Sequence, residues 1–312
     1  MSFSTTGVVH GTPFTSYILK VPVETVRDLI DFLMFSSVYV ALISVGMVYL
    51  SSCIQGIPLN AFSFVIPFLE VFAIYNFNNR TDEEEDIINR KGRYLFMKQH
   101  GRLLSALAIS ALILALVLSM LHGIMALAIT CMPLVLGFLY SASVLPARIG
   151  YRRLKEVPLV KNLIVGFSWG LLPGMLPVLI AGANPDSRTF IIFLLFSMWG
   201  FVASIIPDIR DRAGDALSGI RTIPVIFGDK KAREFLLCAN LIAGVVIIRS
   251  SLPAFPLAWS GFLMVSILYS ETCIYLMERE SMKNFVADVL SDGQFIILAC
   301  IIGILMAFHI SI

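Results

Sequence analysis

Two separated segments of this chain carry aspartates at the spacing of a cation-binding site. On a helix, residues three, four or seven apart share one face, and like charges on one face repel unless a cation lies between them. Carboxylate oxygens together with substrate phosphates are the ligands that Mg²⁺ prefers. The pattern therefore predicts a site for a magnesium-bound diphosphate. The aspartates are Asp82 and Asp86 in residues 78–86, and Asp208, Asp211 and Asp215 in residues 208–215.

The elements that must position these aspartates are membrane helices. Of the 312 residues, 58% are hydrophobic and only 14% are charged, whereas soluble domains carry about 25% charged residues. The mean hydropathy of +0.87 also excludes a soluble globular domain, so we expect an all-α polytopic membrane protein. A spanning helix needs about 20 apolar residues. This rule predicts nine transmembrane helices around a central cavity, at about residues 29–50, 57–78, 103–121, 124–144, 160–182, 189–207, 234–249, 256–277 and 294–311.

Positive charge falls almost entirely on one side of these nine spans. Of the 23 Lys and Arg residues, all except Arg188 and Arg249 lie in the N-terminal segment or in the loops after spans two, four, six and eight. Loops rich in Lys and Arg face the cytoplasm. We therefore expect the N-terminus and both aspartate segments to be cytoplasmic and the C-terminus to lie outside. The lipid bilayer would be that of a prokaryotic plasma membrane by default, with an organelle inner membrane as the alternative. Nothing in the sequence supports nucleic-acid binding.

The aspartate segments also indicate an internal repeat. An offset of 129 residues places Asp82 on Asp211, and it places the next aspartate of each segment on its counterpart. Two pseudo-repeated four-helix units plus one helix would explain this offset, and such folds often hold their site between the two halves. We expect residues 29–312 to form a single transmembrane domain. Residues 1–28 would be an N-terminal tail with a surface-lying helix, although an irregular leader fits them equally well.

Cations and polar residues near the two segments are candidates for holding the diphosphate. Lys161 and Asn162 open an apolar run and could project into the bundle, whereas contact with lipid headgroups would explain most of the basic loop at residues 148–161. Glu70 lies within a span, where an ionisable group is costly, and could line the same cavity two helical turns before Asn78. A solvated acidic patch is the plainer interpretation of one aspartate run. Two runs at helical spacing on the same side disfavour it.

In combination, these motifs resemble the UbiA superfamily of intramembrane prenyltransferases, a family of nine transmembrane helices. Residues 219–228 also resemble the segment that follows the family's second motif, and the resemblance spans about residues 29–311. The family's first motif, Asn-x-x-x-Asp-x-x-x-Asp, is matched by Asn78, Asp82 and Asp86, and its second, Asp-x-x-Asp-x-x-x-Asp, by Asp208, Asp211 and Asp215.

The resemblance implies a Mg²⁺-dependent enzyme that ionises a polyprenyl diphosphate and transfers the prenyl group to a lipophilic or aromatic acceptor. It assigns catalysis to Asp82, Asp86, Asp211 and Asp215, and metal binding to the same four together with Asp208. It assigns substrate binding to Asn78, Arg90, Lys155, Lys161, Asn162 and Asp208.

The chain departs from the family pattern at two positions. Asn79 stands where many members carry Asp, and Pro207 stands where many carry Lys. Pro207 removes a cation that would contact the diphosphate or position an acceptor. This departure keeps open a terpene cyclase or a prenyl-coupling enzyme of the same superfamily, acting without a separate acceptor. A non-catalytic transporter or lipid-binding protein is the third interpretation.

Overall fold

The computed structural model describes residues 23–81, 83–141, 146, 154, 157 and 159–308. Regular secondary structure within these residues is helical, without a β-strand, which confirms the expected all-α class. In chain order the helices are α1 (Val23–Phe35), α2 (Val38–Gln55), α3 (Ala61–Thr81), α4 (Glu83–Asn89), α5 (Lys91–Leu121), α6 (Ile124–Ser141), α7 (Val160–Ile180), α8 (Ser187–Leu217), α9 (Ile223–Phe227), α10 (Asp229–Ser251), α11 (Leu257–Leu276), α12 (Lys283–Phe285) and α13 (Ser291–Ala307), with a π-helical segment (Val286–Leu290) joining the last two.

Eight stretches of the described chain are long and apolar enough to cross a membrane. Seven are the single helices α2, α3, α5, α7, α8, α10 and α11, and the eighth, Lys283–Ala307, runs from α12 through the π-helical segment into α13. Helix α6 contributes a shorter apolar stretch, Ile124–Leu139. The chain is thus a multi-pass integral membrane protein, and the count of nine spans stays a prediction.

The first predicted span, residues 29–50, begins too early. Helix α1 ends at Phe35 and α2 begins at Val38, because Ser37 adopts a left-handed conformation with φ 65°. Two asparagines of α3 hold this break: Asn76 Nδ2 donates to the Ser36 carbonyl and Asn79 Nδ2 donates to Ser37 Oγ, each at 3.0 Å. A carboxylate could not donate to the Ser37 hydroxyl in this way, which gives Asn79 a structural role at a position where many family members carry Asp.

The sixth predicted span, residues 189–207, ends too early as well. Helix α8 runs to Leu217 and includes Pro207 without ending there. The apolar pattern stops at the second aspartate segment because that part of α8 faces an internal cavity rather than lipid. The second segment is therefore a direct continuation of a spanning helix.

The helices pack mainly against their neighbours in the chain. One group consists of α2, α3, α5 and α6, and a second of α7, α8, α10 and α11. Helix α13 lies against α2, and α7 contacts α2, α3 and α6. Helices α3, α7 and α8, which carry most of the candidate site residues, lie at the junction of the two groups. This arrangement agrees with the predicted two units plus one helix.

Helices α7 and α8 approach each other closely through glycines. Gly166, Gly170 and Gly174 follow one another at four-residue intervals on α7. A Cβ added at Gly166 would lie 2.5 Å from the Ser197 carbonyl oxygen of α8, a backbone atom that cannot move independently. Small residues at this spacing let the backbones of membrane helices come into contact. The glycines therefore set the distance between the helix that carries Lys161 and the helix that carries the second aspartate segment.

We expect Gly166→Ala to destabilise the protein, because the added methyl group would push α7 away from α8. Overpacking of this kind costs about 1–3 kcal/mol. Thermal unfolding in detergent would measure the effect. Gly261→Ala in α11 is the matched control, since a Cβ at Gly261 meets nothing within 4 Å. Equal melting temperatures for the two variants would contradict the proposed close contact.

Candidate active site

A cavity of about 340 Å³ lies between the helices that carry the two aspartate segments. Its charged end is formed by the last turn of α3, by α4, by the start of α5 and α7, by the last turns of α8, and by the π-helical segment. Deeper positions on the same helices give the apolar end, which includes Val71, Ile74, Val165 and Leu172. The cavity therefore joins a charged compartment to an apolar one.

Most of the predicted site residues meet in this cavity. Asn162 lies directly behind its wall, where it donates to Ser204 Oγ and Asp208 Oδ2 at 3.0 and 3.2 Å. Asp82 and Lys155 lie outside the described residues. The prediction that Asp82 and Asp86 share one helical face therefore stays a prediction. The predicted residues that line the cavity are Asn78, Asp86, Arg90, Lys161, Asp208, Asp211 and Asp215.

Asp86 of α4 is held by Arg93 at the start of α5. Its side chain is only 3% exposed, and both of its oxygens accept from the Arg93 guanidinium, one of them from Nε at 2.6 Å. A bidentate pair of this kind fixes both side chains. Arg93 was not among the residues that the sequence pointed to.

The aspartates of α8 have different partners. Asp208 accepts from Lys161 Nζ at the start of α7 as well as from Asn162. Asp211 accepts from Nε and Nη2 of the adjacent Arg210, at 2.7 and 2.6 Å. Asp215 is buried and accepts from Thr222 Oγ1 at 3.3 Å. All three side chains line the cavity from one face of α8, as the spacing predicts.

Two further carboxylates, Asp288 and Asp292, reach the cavity from the last spanning stretch. Asp288 accepts from Nη2 of Arg90 and from Nη1 of Arg210, so it joins residues that lie 198 and 78 positions away in the chain. Burial, more than the neighbouring Arg93, lowers the pKa of Arg90 to about 10, so Arg90 is still a cation at neutral pH. Neither aspartate is among the predicted site residues, although their four-residue spacing equals that of Asp82 and Asp86.

Glu70 is not part of the cavity wall, and the hypothesis that it lines the cavity is wrong. Its side chain is fully buried, and neither carboxylate oxygen has a hydrogen-bond partner among the described residues. The position of a residue along a helix does not determine which way its side chain faces.

The charges in the cavity wall do not balance. Its described residues include six carboxylates but only four cations: Asp86, Asp208, Asp211, Asp215, Asp288 and Asp292 against Arg90, Arg93, Lys161 and Arg210. In the described part of the chain, no three carboxylate, imidazole or thiol groups lie close enough together to hold a metal ion as they stand. The arrangement can attract further positive charge, because a surplus of buried negative charge is unfavourable.

Comparison with known proteins now identifies the family. The chain matches the UbiA prenyltransferase family over residues 38–295. It belongs to that family. Solved structures show the same fold: a UbiA homolog from Archaeoglobus fulgidus is 16% identical with a TM-score of 0.63, covering 90% of this chain and 100% of that one. A structure of a UbiA homolog from A. fulgidus bound to GPP and Mg²⁺ gives 15% identity and a TM-score of 0.61, covering 86% of this chain and 98% of that one.

Two curated relatives are named digeranylgeranylglyceryl phosphate synthase. The protein from Methanosarcina mazei is 33% identical over 104 residues, which cover 33% of this chain and 35% of the relative. The protein from Methanopyrus kandleri is 28% identical over 177 residues, which cover 56% of this chain and 59% of the relative. The chain thus aligns with less than two thirds of the length of either UbiA relative.

Proposed function

We propose that this UbiA family member is a Mg²⁺-dependent prenyltransferase that ionises a polyprenyl diphosphate and passes the prenyl group to a lipophilic acceptor. The observation that supports this most directly is the convergence of both aspartate segments on one cavity with a charged end and an apolar end. We place the charged end on the cytoplasmic side, because the Lys- and Arg-rich loops lie on that side.

The residues present fit a magnesium site. Oxygen ligands would come from Asp86 on one side of the cavity and from Asp208, Asp211 and Asp215 on the other. The first motif would also supply Asp82, which lies outside the described residues. The surplus of carboxylates over cations in the described wall gives a reason for divalent cations to bind there, and in an A. fulgidus homolog GPP is bound together with Mg²⁺. When bound, Mg²⁺ would neutralise the diphosphate and make it a better leaving group.

The cations of the wall would contact the same diphosphate. Arg90, Arg93, Lys161 and Arg210 all line the cavity, and each is held by a carboxylate. A metal ion that binds those carboxylates would compete with the cations, which could then donate to diphosphate oxygens. When the allylic C–O bond breaks, its electron pair stays on the diphosphate, and charge-assisted hydrogen bonds stabilise the negative charge that develops.

The apolar end would hold the isoprenoid chain and protect the allylic cation from water. Tyr39, Tyr75 and Trp169 line the cavity. Trp169 Nε1 donates to Tyr75 Oη at 3.3 Å, and the two ring centroids lie 6.4 Å apart. Aromatic faces attract cations, most strongly when water is excluded. This wall is suited to a short-lived carbocation.

A glyceryl phosphate lipid that already carries one prenyl group is the acceptor we favour. The two curated relatives are named for a product with two geranylgeranyl groups on glyceryl phosphate. Pro207 lines the cavity and contributes no charge. This missing cation is the feature that keeps a cyclase or coupling enzyme as an alternative function. Arg210 presents a cation from the next turn of the same helix, so the wall can still accommodate an anionic acceptor.

The proposal is tested with purified protein, geranylgeranyl diphosphate and Mg²⁺, with and without a glyceryl phosphate that carries one geranylgeranyl group. We expect pyrophosphate release and a conjugate that needs the acceptor, and we expect EDTA to abolish both. Product mass identifies the conjugate. A hydrocarbon formed without acceptor would instead support a cyclase or coupling enzyme. Unchanged activity in EDTA would contradict the metal requirement.

A further inference from the structure

One carboxylate in the cavity wall, Asp292, is assigned neither to the metal ion nor to an ion pair. Asp292 lies in the first turn of α13, far in sequence from both aspartate segments. Of the ion pairs among the described residues, none involves Asp292, although Asp86, Asp208, Asp211 and Asp288 each have a cationic partner. Asp215 also lacks an ion pair there, but it belongs to the second motif and accepts from Thr222.

The backbone around Asp292 is held in place by two tyrosines. Tyr39 Oη donates to the Val289 carbonyl at 2.9 Å, and Tyr269 Oη donates to the Leu290 carbonyl at 3.0 Å. Both carbonyls belong to the π-helical segment, a type of helical irregularity that occurs often at functional sites. The backbone turn that carries Asp292 is therefore held in place. A side chain that reacts with a substrate atom needs such a fixed position.

Asp292 lies at the junction of the charged and apolar ends of the cavity. Asp292 follows Asp288 by four residues, about one helical turn, and Asp288 pairs with Arg90 and Arg210 at the charged end. Tyr39 and Tyr75, two of the aromatic residues of the wall, line the same cavity as Asp292. With the diphosphate at the charged end and the prenyl chain at the apolar end, C1 would lie between them.

We infer that Asp292 is the general base that accepts the proton of the acceptor hydroxyl; the inference rests on the proposed function. The C1–O bond to the diphosphate breaks, and its electron pair leaves with the diphosphate. A lone pair of the acceptor oxygen forms the new C1–O bond, and the hydroxyl O–H bond breaks as its proton moves to an Asp292 carboxylate oxygen. The departing diphosphate then carries that proton out of the site.

The other ionisable groups near the cavity are less suited to this step. The aspartates of the two motifs are assigned to the metal, and an ion-paired carboxylate such as Asp288 is a weaker base. The Tyr39 hydroxyl is already a donor to Val289. Glu70 lies outside the wall, and so do the histidines of the described chain, His100 and His122. Asp292 is the carboxylate of the described wall that is left for proton transfer.

Asp292→Asn tests the inference through the products rather than through the overall rate. We expect conjugate formation to fall by about 10²- to 10⁴-fold, the usual contribution of a general base. We expect pyrophosphate release to continue, with water capturing the cation to give the prenyl alcohol. Asp292→Glu keeps a carboxylate and should recover part of the conjugate.

Glu271→Gln is the matched control, since Glu271 is a carboxylate of a spanning helix that accepts from Asn240 Nδ2 at 3.0 Å, away from the cavity. It should give the wild-type ratio of conjugate to alcohol. Binding of a thiolodiphosphate analogue of geranylgeranyl diphosphate checks that each variant retains a formed site, and Asp292→Ser replaces the Asn variant if that one does not fold.

Three outcomes would overturn the assignment, and they are distinguishable. Wild-type conjugate formation in Asp292→Asn or Asp292→Ser would show that another group takes the proton. A variant that still binds the analogue could instead lose pyrophosphate release and conjugate formation equally. That result would show that Asp292 acts in breaking the C1–O bond rather than in proton transfer. If the wild-type protein released pyrophosphate but formed no conjugate with the glyceryl phosphate acceptor, the proposed function and this inference would fail together.

Discussion

Replacing Asp86 by Asn is expected to lower Mg²⁺-dependent pyrophosphate release by about a thousandfold. Loss of one metal ligand removes several kcal/mol of charge stabilisation from the transition state, and about 1.4 kcal/mol corresponds to a factor of ten in rate. The fold should persist, because the Asn side chain has the same size and its oxygen can still accept from Arg93. The measurement is pyrophosphate release from geranylgeranyl diphosphate as a function of Mg²⁺ concentration.

Asp229→Asn is the matched control for this variant. Asp229 is also ion-paired, accepting from Arg212 at 3.2 Å and from Lys283 at 3.4 Å, but it lies outside the cavity wall. Its replacement should leave pyrophosphate release near the wild-type value, because Asp229 does not line the cavity. Near wild-type activity in Asp86→Asn, with an unchanged Mg²⁺ requirement, would remove Asp86 from the proposed metal site.

Replacing Arg210 by Met is expected to lower pyrophosphate release by about a hundredfold and to destabilise the protein. The Arg210 side chain is 9% exposed and joins Asp211 of α8 to Asp288 of the last span. Its loss leaves Asp211 without an ion-pair partner among the described residues. It also removes one hydrogen-bond donor to the negative charge that develops on the diphosphate. Loss of one such donor lowers the rate by about 10²–10³ at comparable sites. Because ligands stabilise the state they bind, Mg²⁺ should raise the melting temperature of this variant more than that of the wild type.

Arg212→Met gives the matched comparison, two residues further along α8. The Arg212 side chain is 48% exposed and pairs with Asp229 at 3.2 Å. We expect this variant to keep both the activity and the melting temperature of the wild type. Equal effects of the two substitutions would indicate that Arg210 contributes only general surface charge and does not bridge two helices at the site.

The sequence was sufficient to predict the membrane-spanning helices and the aspartates of the cavity, because both depend on local patterns of residues. Apolar runs of about 20 residues must cross a membrane as helices, because a backbone in hydrocarbon has to satisfy its own hydrogen bonds. Carboxylates at helical spacing at the ends of such runs pointed to a cation site, and Asp86, Asp208, Asp211 and Asp215 do line one cavity. Their roles as metal ligands and catalytic groups stay predictions.

Helix boundaries and partners depended on contacts that no local pattern contains. The break before α2 is held by Asn76 and Asn79, about 40 residues further along the chain. The apolar run from Leu29 gives no sign of it, because the hydrogen bonds at Ser36 and Ser37 come from side chains of another helix. The extension of α8 past Pro207 likewise depends on the cavity that its polar face lines.

The complete wall of the cavity was decided by tertiary structure alone. Arg90 and Asp288 lie 198 residues apart and yet form one ion pair, and Arg93 and Arg210 entered the site only when α5 and α8 packed beside α4 and the last span. Glu70, which on the sequence could line the same cavity, is not part of its wall. Sequence determined which residue types and spacings could bind a metal diphosphate in a membrane. Helix packing determined which of these side chains face one another, because the direction of a side chain depends on neighbours that are distant in the chain.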